Sequence, residues 1–156
     1  MFVTEISSDI EHPIEISAIT EKEYKTITKI RYSFNWKAER STGSVFKLRI
    51  MGQSDILGLM SVVNVDAEQR IEIKLLASSK ENIGSHKQFD RIAGNMIAYA
   101  AIMALRKYGA EAAISLVPKT ELYYHYINKY GFQPAGRSLF IAGTEILKLL
   151  KKYDYV

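Results

Sequence analysis

One stretch of the chain, Gln88-Phe89-Asp90-Arg91-Ile92-Ala93-Gly94-Asn95, combines residue types and a position that suit phosphate binding. It follows an apolar strand and opens a long helix. The first backbone N–H groups of a helix have no intrahelical partner, and the helix dipole adds partial positive charge there. Because small residues let an anion approach these groups, the stretch predicts a loop that binds the pyrophosphate of a cofactor.

The composition narrows the class of protein. The 156 residues predict one domain over residues 1–156, and an apolar fraction of 47% allows a sizeable core. The chain has no Cys, which excludes disulfides and a thiolate nucleophile, and His86 and His125 lack partners at metal-ligand spacing, so we expect no metal. The net charge of +4 suits an anionic ligand, whereas nucleic-acid binders usually show a denser basic stripe.

The N-terminal residues and the hydropathy pattern predict where the protein resides. No apolar run is long enough to span a bilayer, so we expect no membrane partner. Residues 1–15 carry four acidic residues and neither Lys nor Arg, unlike a signal peptide. We therefore expect a cytoplasmic protein.

The first half of the chain predicts one helix and an antiparallel set of strands. Thr20 followed by Glu23 has the pattern of a capping box, which predicts a helix over about residues 21–34. A short strand is predicted at residues 14–19. Further strands are predicted by apolar residues at alternate positions or in short runs, over 46–50, 56–65 and 71–77. In the first of these, the alternation predicts that Lys47 and Arg49 face solvent.

The second half alternates strands and helices. The helix over about residues 91–108 is apolar on nearly every side, and Gly109 is suited to end it. Further elements are predicted as a buried strand over 112–117, a helix that Thr120 caps and that runs to about 129, a strand over 137–142 and a helix over 144–152. This order predicts an α/β sandwich with a mixed, mostly antiparallel central sheet, helices on both faces and one parallel strand pair.

Two motifs in this half resemble those of the GNAT (Gcn5-related) N-acetyltransferase superfamily. The family loop is Gln/Arg-x-x-Gly-x-Gly/Ala, which this chain matches at Gln88 and Ala93 but not at Arg91, where the family has Gly. The family also has a Tyr shortly before Gly-Phe, and here Tyr126 precedes Gly131-Phe132 with one residue more than the usual spacing. The resemblance covers about residues 45–142. Residues 76–95 also look like a bacterial subgroup of the superfamily that has no firmly assigned substrate.

The resemblance implies an acyl-CoA N-acyltransferase that uses acetyl-CoA as co-substrate, held between splayed parallel strands. The backbone of Leu75, Leu76 and Ala77 would pair with the pantetheine arm, and N–H groups near Leu76 and Ala77 would polarise the thioester carbonyl. The pyrophosphate would lie on the loop; its residues are Gln88, Phe89, Asp90, Arg91, Ile92, Ala93, Gly94 and Asn95. Arg91 either obstructs the phosphate or pairs with it.

Two residues are candidates for proton transfer when an amine attacks the thioester directly, without a covalent enzyme intermediate. Glu72 matches the place of a general base in some family members, although it could instead be a solvated strand residue opposite Lys74 or Lys47. Tyr126 matches the general acid that protonates the departing thiolate. Tyr123 and Tyr124 could take that role instead, and the three rings could also form a packing face.

Several questions stay open at the level of sequence. The acceptor is expected to be a small-molecule or peptide amine, and Trp36 either lines its cleft or belongs to the core. Nucleic acid is not expected as a partner, except aminoacyl-tRNA in a toxin-type enzyme. The remaining alternatives are a module that binds coenzyme A without catalysis and a plain nucleic-acid-binding domain. Family members often pair, which implies a homodimer.

Overall fold

The computed structural model describes residues 1–155 and has nine strands and four α-helices. The strands are β1 Phe2–Glu5, β2 Ile10–Ala18, β3 Ser44–Ile50, β4 Gly58–Val65, β5 Arg70–Ser78, β6 Phe89–Asp90, β7 Ala113–Leu116, β8 Gln133–Ala135 and β9 Ser138–Ala142. The helices are α1 Lys29–Tyr32, α2 Ile92–Tyr108, α3 Tyr123–Tyr130 and α4 Thr144–Lys152. Short 3-10 turns fill several connections.

The strands form one sheet in the order β6-β1-β2-β3-β4-β5-β7-β9-β8. The pairs β1–β2, β1–β6, β2–β3, β7–β9 and β8–β9 are antiparallel, whereas β5 and β7 are parallel. The predicted mixed, mostly antiparallel sheet with one parallel pair is therefore confirmed. By their internal contacts the residues form two compact units, whose boundaries fall within β4, β5 and α2. The first unit holds Met1–Ser61 and Leu75–Met96; the second holds Val62–Lys74 and the residues from Ile97 onward.

In the first unit, the predicted continuous helix over residues 21–34 is wrong. The capping box forms, since the Thr20 N–H donates to Glu23 Oε1 at 3.0 Å, but only a 3-10 turn over Glu23–Thr26 follows. Ile27 is extended, with φ −90° and ψ 114°, within a run of three β-branched residues that disfavours helix. The hydroxyl of Thr28 then accepts from the Arg31 N–H, and this second cap starts the separate helix α1.

The prediction that Lys47 faces solvent is also wrong. Lys47 is only 5% exposed, and its Nζ donates to Glu23 Oε2 at 2.6 Å. Burial by itself raises the pKa of Glu23, but hydrogen bonds from Lys47 and Thr20 outweigh it, so that the pKa lies below its usual value. The pair joins the turn over residues 23–26 to β3.

Replacing Lys47 with Met should lower the free energy of unfolding by about 3 kcal/mol at pH 7, because it leaves a partly buried carboxylate without its cation. A group whose pKa is lowered by folding stabilises the protein above its unfolded pKa and loses that contribution as the pH falls. Urea titrations should therefore show the difference from wild type shrinking below pH 4.5. The double variant with Glu23→Gln should be more stable than Lys47→Met alone; equal stabilities would contradict this account.

The second half of the chain follows the predicted pattern more closely. Helices α2 and α4 begin and end within one residue of the predicted positions. Helix α3 begins two residues later than a helix capped by Thr120 would, because a 3-10 turn over Thr120–Leu122 precedes it. Gly109 and Gly131 adopt φ angles of 71° and 81°, which favour glycine and end α2 and α3. Within residues 1–155, no helix is both long and apolar enough to cross a membrane.

Candidate active site

The C-terminal half of β5 has a backbone edge that runs beyond its parallel neighbour. The β5–β7 register begins at Arg70↔Ala113 and ends at Ile73↔Leu116, whereas β5 continues to Ser78. This stretch includes the predicted pantetheine-binding residues, of which Leu75 and Leu76 are half-buried and Ala77 is buried. An edge of this kind offers main-chain donors and acceptors to an extended ligand.

Close packing at Gly58 holds the start of α2 against β4 and β5. A Cβ atom at Gly58 would lie 2.7 Å from Ile92 Cγ2, 3.0 Å from Met96 Sδ and 3.4 Å from the Ala77 carbonyl oxygen. Only glycine lets the helix approach so closely. The N-terminus of α2 therefore lies beside the part of β5 that follows Ile73 and extends beyond the pairing with β7, which we call the free part of β5.

The first turn of α2 begins from a left-handed residue. Arg91 has φ 79°, a conformation that glycine adopts without strain and that costs other residues about 1 kcal/mol. Arg91 thus departs from the family motif in side chain but has the backbone conformation typical of a glycine. The Asn95 N–H donates to the Arg91 carbonyl at 3.1 Å, so the N–H groups of Ile92, Ala93 and Gly94 precede the first helical hydrogen bond.

The residues before Arg91 form a strand rather than an open loop. Phe89 and Asp90 are β6 and pair with Glu5 and Thr4 of β1. Three N–H groups here already donate within the chain: that of Gln88 to the Glu81 carbonyl, that of Phe89 to Asn82 Oδ1 and that of Arg91 to Asp90 Oδ1. The helical turn after Arg91 is thus better suited to an anion than the N–H groups of Gln88, Phe89 and Arg91 are.

The side chains of Arg91 and Asn95 contact the N-terminal strand. The Arg91 guanidinium carbon lies 4.2 Å from the centroid of the Phe2 ring, a cation–π contact. Asn95 is fully buried, and its Nδ2 donates to the Phe2 carbonyl at 2.8 Å. β1 therefore lies against the start of α2, which no sequence motif indicated.

A surface pocket of about 600 Å³ adjoins β6. Its lining comes from the end of β1 with the following turn and from the loop before β6, namely Glu5, Ile6, Ser7, Ser85, His86, Lys87, Gln88 and Phe89. The loop residues are polar and the Glu5 carboxylate already binds His12 at 2.9 Å. The pocket therefore has a mixed polar lining without a dominant charge.

Glu72 lies in the second unit, on the face of β5 opposite the buried Ile71 and Ile73. It is half-buried, and its carboxylate lies 3.4 Å from Nη1 of Arg70. The same Nη1 donates to Ser115 Oγ at 2.6 Å, which ties β5 to β7. Arg70 thus holds the Glu72 side chain in place within the paired part of the two strands, a contact that the sequence pattern did not indicate.

Tyr126 lies on α3 within an aromatic cluster. Its ring centroid is 5.8 Å from that of Phe132 and 5.9 Å from that of Tyr130. Burial raises the pKa of the Tyr126 phenol, so the hydroxyl keeps its proton well above neutral pH. Tyr124 differs in being 71% exposed, with its ring edge-to-face against Tyr123.

Trp36 belongs to the core of the first unit. It is 1% exposed and its Nε1 donates to the Tyr32 carbonyl at 3.0 Å. It packs in a cluster that includes Ala77 and, at its partly buried margin, Phe34 and Leu75. Of the two roles expected for Trp36, the structure therefore shows the core one. Residues 1–155 contain no group of three His, Cys, Asp or Glu side chains that could hold a metal ion.

Several solved structures are similar in fold to this chain. A chimera of the spermidine N-acetyltransferase SpeG from Vibrio cholerae and hSSAT matches with a TM-score of 0.64 and 14% identity, over 87% of this chain and 99% of that chain. A mutant of the toxin AtaT, bound to the C-terminus of the antitoxin AtaR, matches with a TM-score of 0.60 and 14% identity, over 87% and 97%.

A third match is a GNAT family acetyltransferase from Elizabethkingia anophelis with acetyl-CoA bound, with a TM-score of 0.56 and 16% identity over 78% of this chain and 77% of that chain. No family model and no curated protein sequence matches the chain. At these identities the likeness concerns the fold. The chain has the fold of the GNAT superfamily, as the two motifs predicted.

Proposed function

We propose that the protein is an acetyl-CoA-dependent N-acetyltransferase that transfers the acetyl group directly to a primary amine. The observation that carries the proposal is the edge of β5, which continues to Ser78 after the parallel pairing with β7 has ended at Ile73. It supports the proposal because an extended pantetheine arm can add to such an edge as a further strand. The GNAT fold supports the same function.

The residues at the start of α2 fit the pyrophosphate of coenzyme A. The N–H groups of Ile92, Ala93 and Gly94 precede the first helical hydrogen bond, and two of these residues are too small to hold a phosphate away. Leu75, Leu76 and Ala77 would hold the pantetheine arm by their main chain. Gln88, Phe89 and Asp90 would contribute as the strand that positions this turn rather than through their own N–H groups.

Coenzyme A supplies the acetyl group as a thioester. During transfer the amine nitrogen forms a bond to the acetyl carbon, the carbon–sulfur bond breaks, and the nitrogen loses a proton. Glu72 would accept that proton directly or through water, and Tyr126 would donate its phenolic proton to the departing sulfur. Binding both substrates together would supply much of the rate by proximity. We also propose that the protein forms a homodimer and that it is located in the cytoplasm.

Calorimetric titration of coenzyme A into the wild type and an Ala93→Glu variant tests the cofactor site. A carboxylate is tolerated in the first turn of a helix but repels a diphosphate. We expect micromolar binding to the wild type and at least tenfold weaker binding to Ala93→Glu. Ala67→Glu is the matched control. Ala67 is exposed on the turn after β4, so the substitution adds the same negative charge outside the proposed site.

Four results would contradict the proposal or part of it. Absence of binding to the wild type would reject the cofactor, and equal weakening in both variants would reject the site at α2. Binding without acetyl transfer to any amine would favour the alternative of a coenzyme A-binding module. Acetylation of aminoacyl-tRNA in preference to every free amine would favour the toxin-type alternative.

A further inference from the structure

The segment over residues 21–40 has an apolar inner side that packs against Ala77, at the proposed acetyl end of the site. Tyr24, Tyr32 and Trp36 come from three successive short helical turns and are all buried in one cluster with Ala77. Three partly buried apolar residues, Ile19, Phe34 and Leu75, pack against this cluster and form its apolar margin. Leu75 lies in the free part of β5. An acceptor that reaches the thioester from this margin therefore meets apolar side chains.

Phe34 is the largest side chain of this margin. Its ring stands edge-to-face against the buried Trp36, with centroids 6.0 Å apart and planes at 77°. This contact fixes one side of the ring while the residue stays partly exposed. A rigid aromatic side chain in this position can pack against an apolar group at little cost in side-chain entropy.

The same segment carries an excess of positive charge. Residues 21–40 contain six Lys or Arg and three Glu, a net charge of +3. Lys22, Lys25, Lys29 and Lys37 are all exposed. A ligand with several positive charges would be repelled along this surface, and the repulsion would weaken as salt is added.

The carboxylates of the segment are already engaged. Glu23 binds the buried Lys47, Glu21 forms an ion pair with Arg40, and Glu39 accepts from the Ser61 hydroxyl at 2.8 Å. Two further carboxylates, on Asp55 and Glu81, bind Arg31. Recognition of a polycation would need carboxylates that are not already bound by the protein's own side chains.

We propose, on the basis of the acetyltransferase function above, that the acceptor is a monoamine attached to an apolar or aromatic body and that polyamines are poor acceptors. Ile19, Phe34 and Leu75 are the residues that select it. The apolar body packs against this margin and places its amine toward the thioester, while the excess of lysines disfavours spermidine. The substrate class thus differs from the one named for the spermidine N-acetyltransferase that shares the fold.

The test compares 2-phenylethylamine, methylamine and spermidine as acceptors, after acetyl-CoA binding has been measured for every variant. For the wild type, kcat/KM should be at least tenfold higher for 2-phenylethylamine than for spermidine. Raising the salt from 50 to 500 mM should increase kcat/KM for spermidine and leave that for 2-phenylethylamine nearly unchanged, because only the polycation is repelled.

Variants at Phe34 distinguish a loss of acceptor selectivity from a general loss of enzyme activity. Phe34→Ala should lower kcat/KM for 2-phenylethylamine about tenfold, mainly by raising KM, whereas kcat/KM for methylamine should stay within twofold of the wild-type value. Phe34→Leu should retain most of the activity toward 2-phenylethylamine. The matched control is Ile30→Ala, since Ile30 lies on the same segment and is 84% exposed. Calorimetric binding of 2-phenylethylamine in the presence of coenzyme A should follow the same order.

The outcomes distinguish this inference from the function on which it rests. If acetyl-CoA does not bind the wild type, the proposed function itself fails. If acetyl-CoA binds but spermidine, or an amine outside the panel, is acetylated as well as 2-phenylethylamine, only the acceptor class is wrong. If acetyl-CoA binds and no amine is acetylated, the acceptor class and the catalytic part of the proposed function both fail. If Phe34→Ala lowers kcat/KM by the same factor for methylamine and for 2-phenylethylamine, the role of Phe34 in acceptor selection is wrong.

Discussion

Replacing Tyr126 with Phe is expected to lower kcat about 100-fold and to leave coenzyme A binding unchanged, as is typical of the loss of a general acid. The change removes only the hydroxyl, so the ring keeps its packing against Tyr130 and Phe132. Because burial raises the pKa of this phenol, the wild type should keep its general acid protonated from pH 6 to pH 9. Steady-state rates over that range test this.

A matched control separates Tyr126 from its neighbours on α3. Tyr124→Phe changes an exposed tyrosine of the same helix and should retain the wild-type rate. The proposed general base has the parallel variant Glu72→Gln, which should lower kcat by a similar factor and keep the shape of the side chain. If Tyr124→Phe or Tyr123→Phe loses activity and Tyr126→Phe does not, the general acid is another tyrosine. Near wild-type rates for Tyr126→Phe and Glu72→Gln would reject both roles.

Replacing Gly58 with Ala is expected to lower the free energy of unfolding by about 2 kcal/mol, a typical cost of overpacking a core. The added methyl would lie 2.7 Å from Cγ2 of Ile92, which is on a branched and buried side chain and has little freedom to move. The start of α2 must shift to remove this steric overlap, so coenzyme A binding should weaken as well. Urea unfolding and calorimetry measure the two effects.

Ile92→Leu offers a compensating change for this prediction, because it removes the methyl group from Cβ and keeps the side-chain volume. The double variant with Gly58→Ala should therefore be more stable than the sum of the two single changes predicts. Strict additivity would show that the Ile92 methyl is not the atom that resists the added Cβ. Wild-type stability of Gly58→Ala would contradict the close approach itself.

The sequence alone was sufficient for the elements whose periodicity is local. Strands β3, β4 and β5 and helices α2 and α4 were predicted near their observed positions, because alternate or continuous apolar residues determine them. Gly109 marked the end of α2 because a left-handed residue is favoured there. The two motifs also predicted the GNAT fold. The roles of Glu72, Tyr126 and the cofactor-binding residues stay predictions, as does the single domain.

Only the tertiary structure decided the features that depend on residues far apart in the chain. Lys47 has a polar position in an alternating strand, yet it is buried because Glu23 neutralises it. Phe89 and Asp90 form a strand because β1 pairs with them across more than 80 positions of sequence. Arg91 keeps the backbone conformation of a glycine while its guanidinium packs on Phe2. Each of these depends on a partner that no local pattern contains, because long-range contacts leave no periodicity in the sequence.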